Sequence, residues 1–229
     1  IIDISTITSW AHQQGMLVAV DNTFASPINQ QPIKLGVDLC VQSATKYLGG
    51  HSDLTAGVIT GNKPVLDIIR PWRTSLGQIC SPATAHLLDR SLATLPLRVA
   101  CHNDNAMAIA SWLESHPQVI RVNYPGLPNF PDHAIAKKQM TGFGGMLSFE
   151  IKGSGKDTIQ FINNLNLFSR APSLGGVESL VSQPSKTSHR HLTFEEKKKK
   201  RIQDNLIRLS IGLENHQDLL DDLELAFNL

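Results

Sequence analysis

Two stretches of this chain hold residues of the kind that do chemistry on amino acids. In one, the apolar run Val37-Asp38-Leu39-Cys40-Val41, interrupted only by Asp38, gives way to Ser43-Ala44-Thr45-Lys46-Tyr47-Leu48-Gly49-Gly50. In the other, Met16-Leu17-Val18-Ala19-Val20 runs straight into Asp21. Both read as strands buried on both faces, which are near-continuous apolar runs, and ligands of open α/β sheets gather where such strands end at their carboxyl side. A lysine at one such end and an aspartate at another are what a pyridoxal phosphate site needs: an amine for the Schiff base, and an anion to keep the ring nitrogen protonated. Ser43 and Thr45 alternate along a segment read as extended, so both hydroxyls are expected on one side, as ligands of the phosphate.

The elements that must position these groups follow from periodicity and punctuation. Ile4, Ile7, Trp10 and Ala11 fall at helical spacing behind Asp3 or Ser5 as N-cap, with Gly15 as the stop, and predict a helix over 4–14. Asn22 to Pro27 reads as loop, and Leu54 to Thr60 as a further strand. Helices alternating with strands imply a doubly wound sheet. Ser81-Pro82 is a serine cap followed by a proline at the first helical position. Apolar positions Leu87, Leu88, Leu92, Leu95 and Val99 predict one long helix running through Pro96, kinked there, to Leu113. Beyond it, strands over 119–124, 146–151 and 206–211 and helices over 155–166 and 218–227 make a smaller α+β unit.

Composition narrows the class. The chain has 229 residues, 41% of them hydrophobic, enough to bury one large core or two modest ones. With 21 Lys and Arg against 20 Asp and Glu, it has no basic footprint for nucleic acid. No stretch reaches the apolar length of a membrane span, and the first residues lack the parts of a signal peptide, so the expected location is cytoplasmic. Cys40, Cys80 and Cys101 have no metal-ligand spacing and are expected as reduced, partly buried thiols.

Competing motifs lack their companions. Ser43-Ala44-Thr45-Lys46 fits the S-x-x-K pattern of serine β-lactamases, but Ser52-Asp53 is followed by Leu54, and Lys186-Thr187 by Ser188, so neither supporting motif is present. The glycines and lysine of 57–63 do not have P-loop spacing. His51 with Asp53, and His189 with His191, lack further ligands at metal-site spacing, so no metal is expected. The run Lys197 to Lys200 reads as a solvated helix face.

The segments Val20-Asp21-Asn22-Thr23-Phe24-Ala25-Ser26-Pro27 and Ser43 to Asp53 resemble the signature of the Cys/Met-metabolism family of pyridoxal-phosphate enzymes. Agreement continues through Tyr124 to Pro128, Ala136 to Gly145, Pro172 to Ser179 and Leu206 to Gly212. The resemblance implies the aspartate-aminotransferase-like fold (fold type I): residues 1–97 as the carboxyl-side part of the cofactor domain, mixed or parallel in its sheet, and 98–229 as a smaller substrate domain. It implies pyridoxal 5'-phosphate on Lys46, with Asp21, Asn22, Ser43 and Thr45 around it. Arg208, Ser173, Leu174 and Glu178 would then hold a small amino-acid substrate. Among family activities it points to cystathionine γ-synthase, ahead of cystathionine γ-lyase, methionine γ-lyase and cystathionine β-lyase. An inactive homologue serving as a structural subunit is the alternative from another class. Family members assemble as dimers of dimers, so a homo-oligomer is expected. Ser185 to His189 and Arg201 depart from the family pattern and bear on substrate preference. The sequence opens without methionine just before the Asp21 strand, and the resemblance therefore implies a piece of a longer polypeptide, inactive or nearly so by itself.

Overall fold

The structure, a computed structural model, describes residues 1–228, which form two sheets joined by a long helix. Helix α1 (Ile4–Gln13) starts at Asp3, whose carboxylate accepts the Thr6 N–H, and the chain reverses at Gly15, where φ is +71°. Only part of its apolar stripe is covered: Ile4 and Ala11 are buried, whereas Ile7 and Trp10 are exposed.

Strand β1 (Ala19–Asp21) leads into a short helix, α2 (Ser26–Asn29), and a 3-10 turn over Pro32–Leu35. Strand β2 (Leu39–Ser43) pairs parallel to β1, with Asp21 opposite Val41. Strand β3 (Gly57–Gly61) then pairs antiparallel to β2. The sheet is therefore mixed, one of the two forms expected of it. The link from Ala44 to Ala56 folds as a turn and a loop without a crossover helix, and β3 returns antiparallel. Nor are these strands covered on both faces. In β2 only Cys40 and Gln42 are buried, in alternation, and Leu17, ahead of the edge strand β1, is exposed.

Helix α3 (Lys63–Ser75), which the sequence reading passed over, carries Pro64 in its first turn and buries none of its residues. Helix α4 (Pro82–Leu92) begins as expected at Ser81, whose hydroxyl accepts the Thr84 N–H. The long kinked helix is not found. The chain breaks at Ala93 and Thr94, and a second helix, α5 (Leu95–Ser115), starts with Pro96 in its first turn. There the missing N–H leaves no hydrogen bond unmade, so the proline serves as a start rather than a kink.

The second sheet is built from β4 (Val119–Asn123), β5 (Met146–Ile151), β6 (Ser169–Arg170), β7 (Leu180–Ser182) and β8 (Leu206–Ser210), in the order β4-β5-β8-β7-β6. Helices α6 (His133–Gln139), α7 (Gly155–Asn164), α8 (Phe194–Lys199) and α9 (His216–Asn228) accompany it. Helix α8 is the solvated lysine face that the charge run predicts, closed by a Thr193–Glu196 capping box. Of the cysteines, Cys40 is buried and Cys101 half-buried, but Cys80 is exposed, and all three are free thiols.

The main core joins Ala106, Ile109, Ala110 and Leu113 of α5 to Phe149 of β5, Ile207 and Leu209 of β8, and Leu219 and Leu223 of α9. A smaller core holds Ala44, Tyr47 and Leu48 with Leu95 and Val99 from the start of α5, and Leu174. One helix thus packs at one end beneath the lysine stretch and at the other within the second sheet. Each leucine, isoleucine, valine or phenylalanine among them stabilises by about 1.5–3 kcal/mol on full burial.

The break at Thr94 has a testable sign. Replacing a helix-interior proline by alanine should stabilise by about 3 kcal/mol, whereas at the first turn Pro96→Ala should cost about 0.4–1 kcal/mol by loosening the unfolded chain. Urea unfolding of the two proteins should therefore show a small loss, and a clear gain would mean the helix is continuous.

Candidate active site

The parallel pairing of β1 and β2 brings their carboxyl ends to one edge of the first sheet, so the Asp21 and Lys46 stretches meet there. After Ser43 the backbone does not stay extended. Ala44 to Leu48 closes a π-helical turn, in which the Gly49 N–H donates to the Ala44 carbonyl at 2.7 Å and the Gly50 N–H to the Lys46 carbonyl at 2.7 Å. The expected alternation of Ser43 and Thr45 along an extended segment is thereby overturned. Ser43 ends the strand, and Thr45 lies in the turn, where its hydroxyl accepts the Ala56 N–H at 3.2 Å.

Asp21 is held by a local network. Its Oδ1 accepts the Thr23 N–H at 3.0 Å and the Thr23 hydroxyl at 2.5 Å, and Thr23 Oγ1 in turn accepts the Ser43 N–H at 2.8 Å. The carboxylate is thus oriented through Thr23 to the end of the neighbouring strand, and the residue is exposed at the sheet edge. Asn22 bonds within its own loop. Its buried amide donates to the Ser26 and Gln30 carbonyls and accepts from Gln30 Nε2, so it clasps its own loop.

The second sheet contributes through the segment 172–178. Lys46 Nζ donates to Ser173 Oγ at 2.9 Å, and Arg208, on β8, donates from Nη2 to the Ser173 carbonyl at 3.2 Å. Arg208 is half-buried and has no carboxylate within ion-pair distance among the described residues. Glu178 accepts the Ser52 hydroxyl at 2.5 Å. Leu174 turns its side chain into the smaller core, not toward the lysine. The segment lies hard against the turn: at Gly175, with φ of +73°, a Cβ would stand 2.8 Å from the Tyr47 nitrogen, and the Val177 N–H donates to the Gly50 carbonyl at 3.0 Å.

Three residues of this assembly escaped the sequence reading. Tyr47 is buried, its hydroxyl accepts the Gly145 N–H at 2.9 Å, and burial pushes its pKa up to about 12, so it stays neutral. His102, on α5, packs edge-on against the Tyr47 ring and donates from Nδ1 to the Ile211 carbonyl at 2.6 Å. Burial, with Arg98 nearby, pushes its pKa down to about 4, and its Nε2 is buried without a partner. Arg98 is buried under the lysine turn. Its signal was a charged residue on an apolar stripe between Leu95 and Val99.

Open space adjoins both halves of the site. A cavity of about 420 Å³ is lined by Asp21, Phe24, Phe143 and Met146, and one of about 510 Å³ by Thr45, Ser173 and Glu178. The donor set fits the expected cofactor in two respects: a primary amine at one strand end, and an exposed carboxylate at the next whose Oδ2 accepts no hydrogen bond from a described residue.

A model of the family described as Cys/Met metabolism PLP-dependent enzyme matches residues 1–228. The chain is 46% identical over 222 residues to the chloroplastic cystathionine gamma-synthase 1 of Arabidopsis thaliana, a match that covers 97% of this chain and 39% of that protein. It is 44% identical over 229 residues to the cystathionine gamma-lyase of Dictyostelium discoideum, covering 100% of this chain and 59% of that one. The crystal structure of cystathionine gamma-lyase from Lactobacillus plantarum complexed with L-serine superposes with a TM-score of 0.94 at 42% identity, over 100% of this chain and 60% of that chain. The chain therefore spans well under two thirds of the length of these proteins.

His102 makes the site sensitive to acid. Its folded pKa lies below the ordinary value of 6.5, so the folded state resists protonation while the unfolded chain takes the proton. The penalty is absent above pH 6.5, grows as pH falls toward 4, and is complete below that, reaching about 3 kcal/mol. His102→Gln, whose amide can still donate to Ile211, should flatten this part of the stability profile between pH 6.5 and 4 in parallel denaturant titrations. Identical slopes for the two proteins would remove His102 as the cause.

Proposed function

The chain belongs to the Cys/Met-metabolism family of PLP-dependent enzymes, and from that premise we propose that it carries the lysine-bearing part of a trans-sulfuration enzyme. Its fold is the aspartate-aminotransferase-like, type I class of these enzymes. We read 1–97 as the carboxyl-side part of the cofactor domain and 98–229 as the substrate domain, in a cytoplasmic homo-oligomer. The observation that carries the reading is the meeting of Lys46 Nζ with Ser173 Oγ at 2.9 Å, beside Arg208 and one strand away from Asp21.

Lys46 would hold pyridoxal phosphate through its amine, Asp21 would supply the anion for the ring nitrogen, and Ser43 and Thr45 would serve the phosphate. When bound, the cofactor supplies the conjugated ring that takes up an electron pair released at a substrate carbon. Lys46 Nζ would also take and return protons at substrate carbons. Ser173, which accepts from that amine, keeps it aimed. Arg208 has five N–H donors, and its bonds to the Pro172 and Ser173 carbonyls leave others for the α-carboxylate of an amino acid. Leu174 supports this segment from the core, Glu178 flanks the substrate, and Asn22 shapes the loop after Asp21.

Of the family's reactions we favour γ-replacement, the joining of an O-acylated or O-phosphorylated homoserine to cysteine. Support comes from the stretches Tyr124 to Pro128 and Ala136 to Gly145, which look most like synthases. Cystathionine γ-lyase, methionine γ-lyase and cystathionine β-lyase activities are the alternatives, and similar identity to both synthases and lyases keeps them close.

Lys46→Ala should abolish turnover with the fold intact, and borohydride should fix the cofactor on Lys46 alone in the parent protein. Asp21→Asn should bind cofactor but react slowly. Arg208→Lys should weaken amino-acid binding roughly 10- to 100-fold, the loss of one charge-assisted hydrogen bond of about 1.5–3 kcal/mol. Carried in a polypeptide of its relatives' full length and given cysteine and an activated homoserine, this chain should support formation of cystathionine, with oxobutyrate appearing only when cysteine is left out. Rapid consumption of cystathionine with release of cysteine would assign the γ-lyase reaction instead.

A further inference from the structure

Helix α5 places a cation beneath the lysine turn. Arg98 is only 5% exposed, and its guanidinium donates to four oxygens. Nη1 reaches the Tyr47 carbonyl at 2.7 Å, Nη2 the Ser91 carbonyl at 2.9 Å and the Leu48 carbonyl at 3.4 Å, and Nε the Thr94 hydroxyl at 3.1 Å. None of these is a carboxylate, and Arg98 makes no ion pair among the described residues. Buried charges are ordinarily paired, so an arginine bonded only to neutral oxygens, two of them carbonyls of the residues directly after Lys46, points to a task at that turn.

The opposite side of the turn is fixed too. Gly175 leaves no room for a Cβ against Tyr47, and Val177 bonds the Gly50 carbonyl. Gly50 itself, with φ of +69°, would set a Cβ 2.0 Å from Nη1 of Arg98. The lysine turn is thus clamped between the guanidinium below and the 173–178 segment, whose Ser173 accepts from Lys46 Nζ.

We propose that Arg98 is the positioning residue of Lys46: by bonding the Tyr47 and Leu48 carbonyls it fixes the π-helical turn so that the amine is presented to Ser173 and the cofactor space. The inference rests on the reading of Lys46 as the cofactor lysine. Arginine is required because its planar fork serves several carbonyls at once, whereas a lysine is a point charge that serves fewer of them.

The test compares the parent protein with Arg98→Lys and Arg98→Met by two measurements. The first is hydrogen exchange at the Gly49 and Gly50 amides, which close the turn, alongside amides of β5 and β8. The second is the fraction of pyridoxal phosphate fixed by borohydride on Lys46 rather than on other lysines. Arg98→Met should speed exchange at Gly49 and Gly50 roughly tenfold or more, as expected for loss of a hydrogen bond to a charged group. Arg98→Lys should give a smaller change, β5 and β8 should remain protected in both variants, and the Lys46 share of the label should fall in the same order. Unchanged exchange in the turn would overturn the proposal, and so would undiminished labelling of Lys46 in Arg98→Met. Loss of protection in β5 and β8 in both variants would also overturn it, by making Arg98 a residue of the whole fold. If the parent protein takes no label on Lys46, it is the cofactor reading that fails, and the exchange data still decide whether Arg98 holds the turn.

Discussion

The structure depends on solving one problem: a lysine at the end of a strand sits in a turn whose backbone is buried, and buried carbonyl oxygens need donors. Leaving such a group unpaired costs about 1–3 kcal/mol. The turn after β2 bonds itself through Gly49 and Gly50, and Arg98 serves the Tyr47 and Leu48 carbonyls from α5. Because α5 then runs on into the main core, the position of the lysine is tied to the packing of the second sheet. Neither the first sheet nor the second makes the site alone.

The same logic orders the carboxylate side. Thr23 receives the Ser43 N–H and passes its own hydroxyl hydrogen to Asp21, so three groups on two strands share one chain of hydrogen bonds. Such chains fix the orientation of the groups they join. Asn22, between them in sequence, uses its amide to hold the loop through Ser26 and Gln30. A loop that carries a charge at a sheet edge is thereby as well bonded as a regular element.

How much of this was legible in the sequence depended on whether the signal was local. The strand-to-loop transition at Asp21, the Ser81-Pro82 start and the Gly15 stop were readable, because each is written in adjacent residues. The break before Pro96 was missed because the apolar spacing carries straight across Ala93 and Thr94, where a kinked helix and two capped helices read alike. The antiparallel return of β3 depends on how the Ala44–Ala56 link folds, which periodicity does not encode. Thr45 was placed on the wrong backbone because a π-helical turn has no composition of its own. Arg98 showed only as a charge on an apolar stripe, and His102 not at all, since their partners are largely backbone carbonyls: Arg98 bonds those of Tyr47, Leu48 and Ser91, and His102 that of Ile211.

The electrostatics of the assembled site follow from what its cations lack. Lys46, Arg98 and Arg208 converge on the turn and the 172–178 segment, and none of them has a carboxylate within ion-pair distance among the described residues. Carboxylates are close by, Glu178 in that segment and Asp53 beside it on the cavity of about 510 Å³, but neither pairs with these cations. Each of the three is steered instead by neutral oxygens, Lys46 by the Ser173 hydroxyl and Arg208 by the Pro172 and Ser173 carbonyls. Neutral acceptors orient a cation without cancelling its field. A carboxylate in any of those places would have tied the cations down and left the field weak. Asp21, one strand away and bonded to Thr23, is held by its own network and stays apart from all three cations.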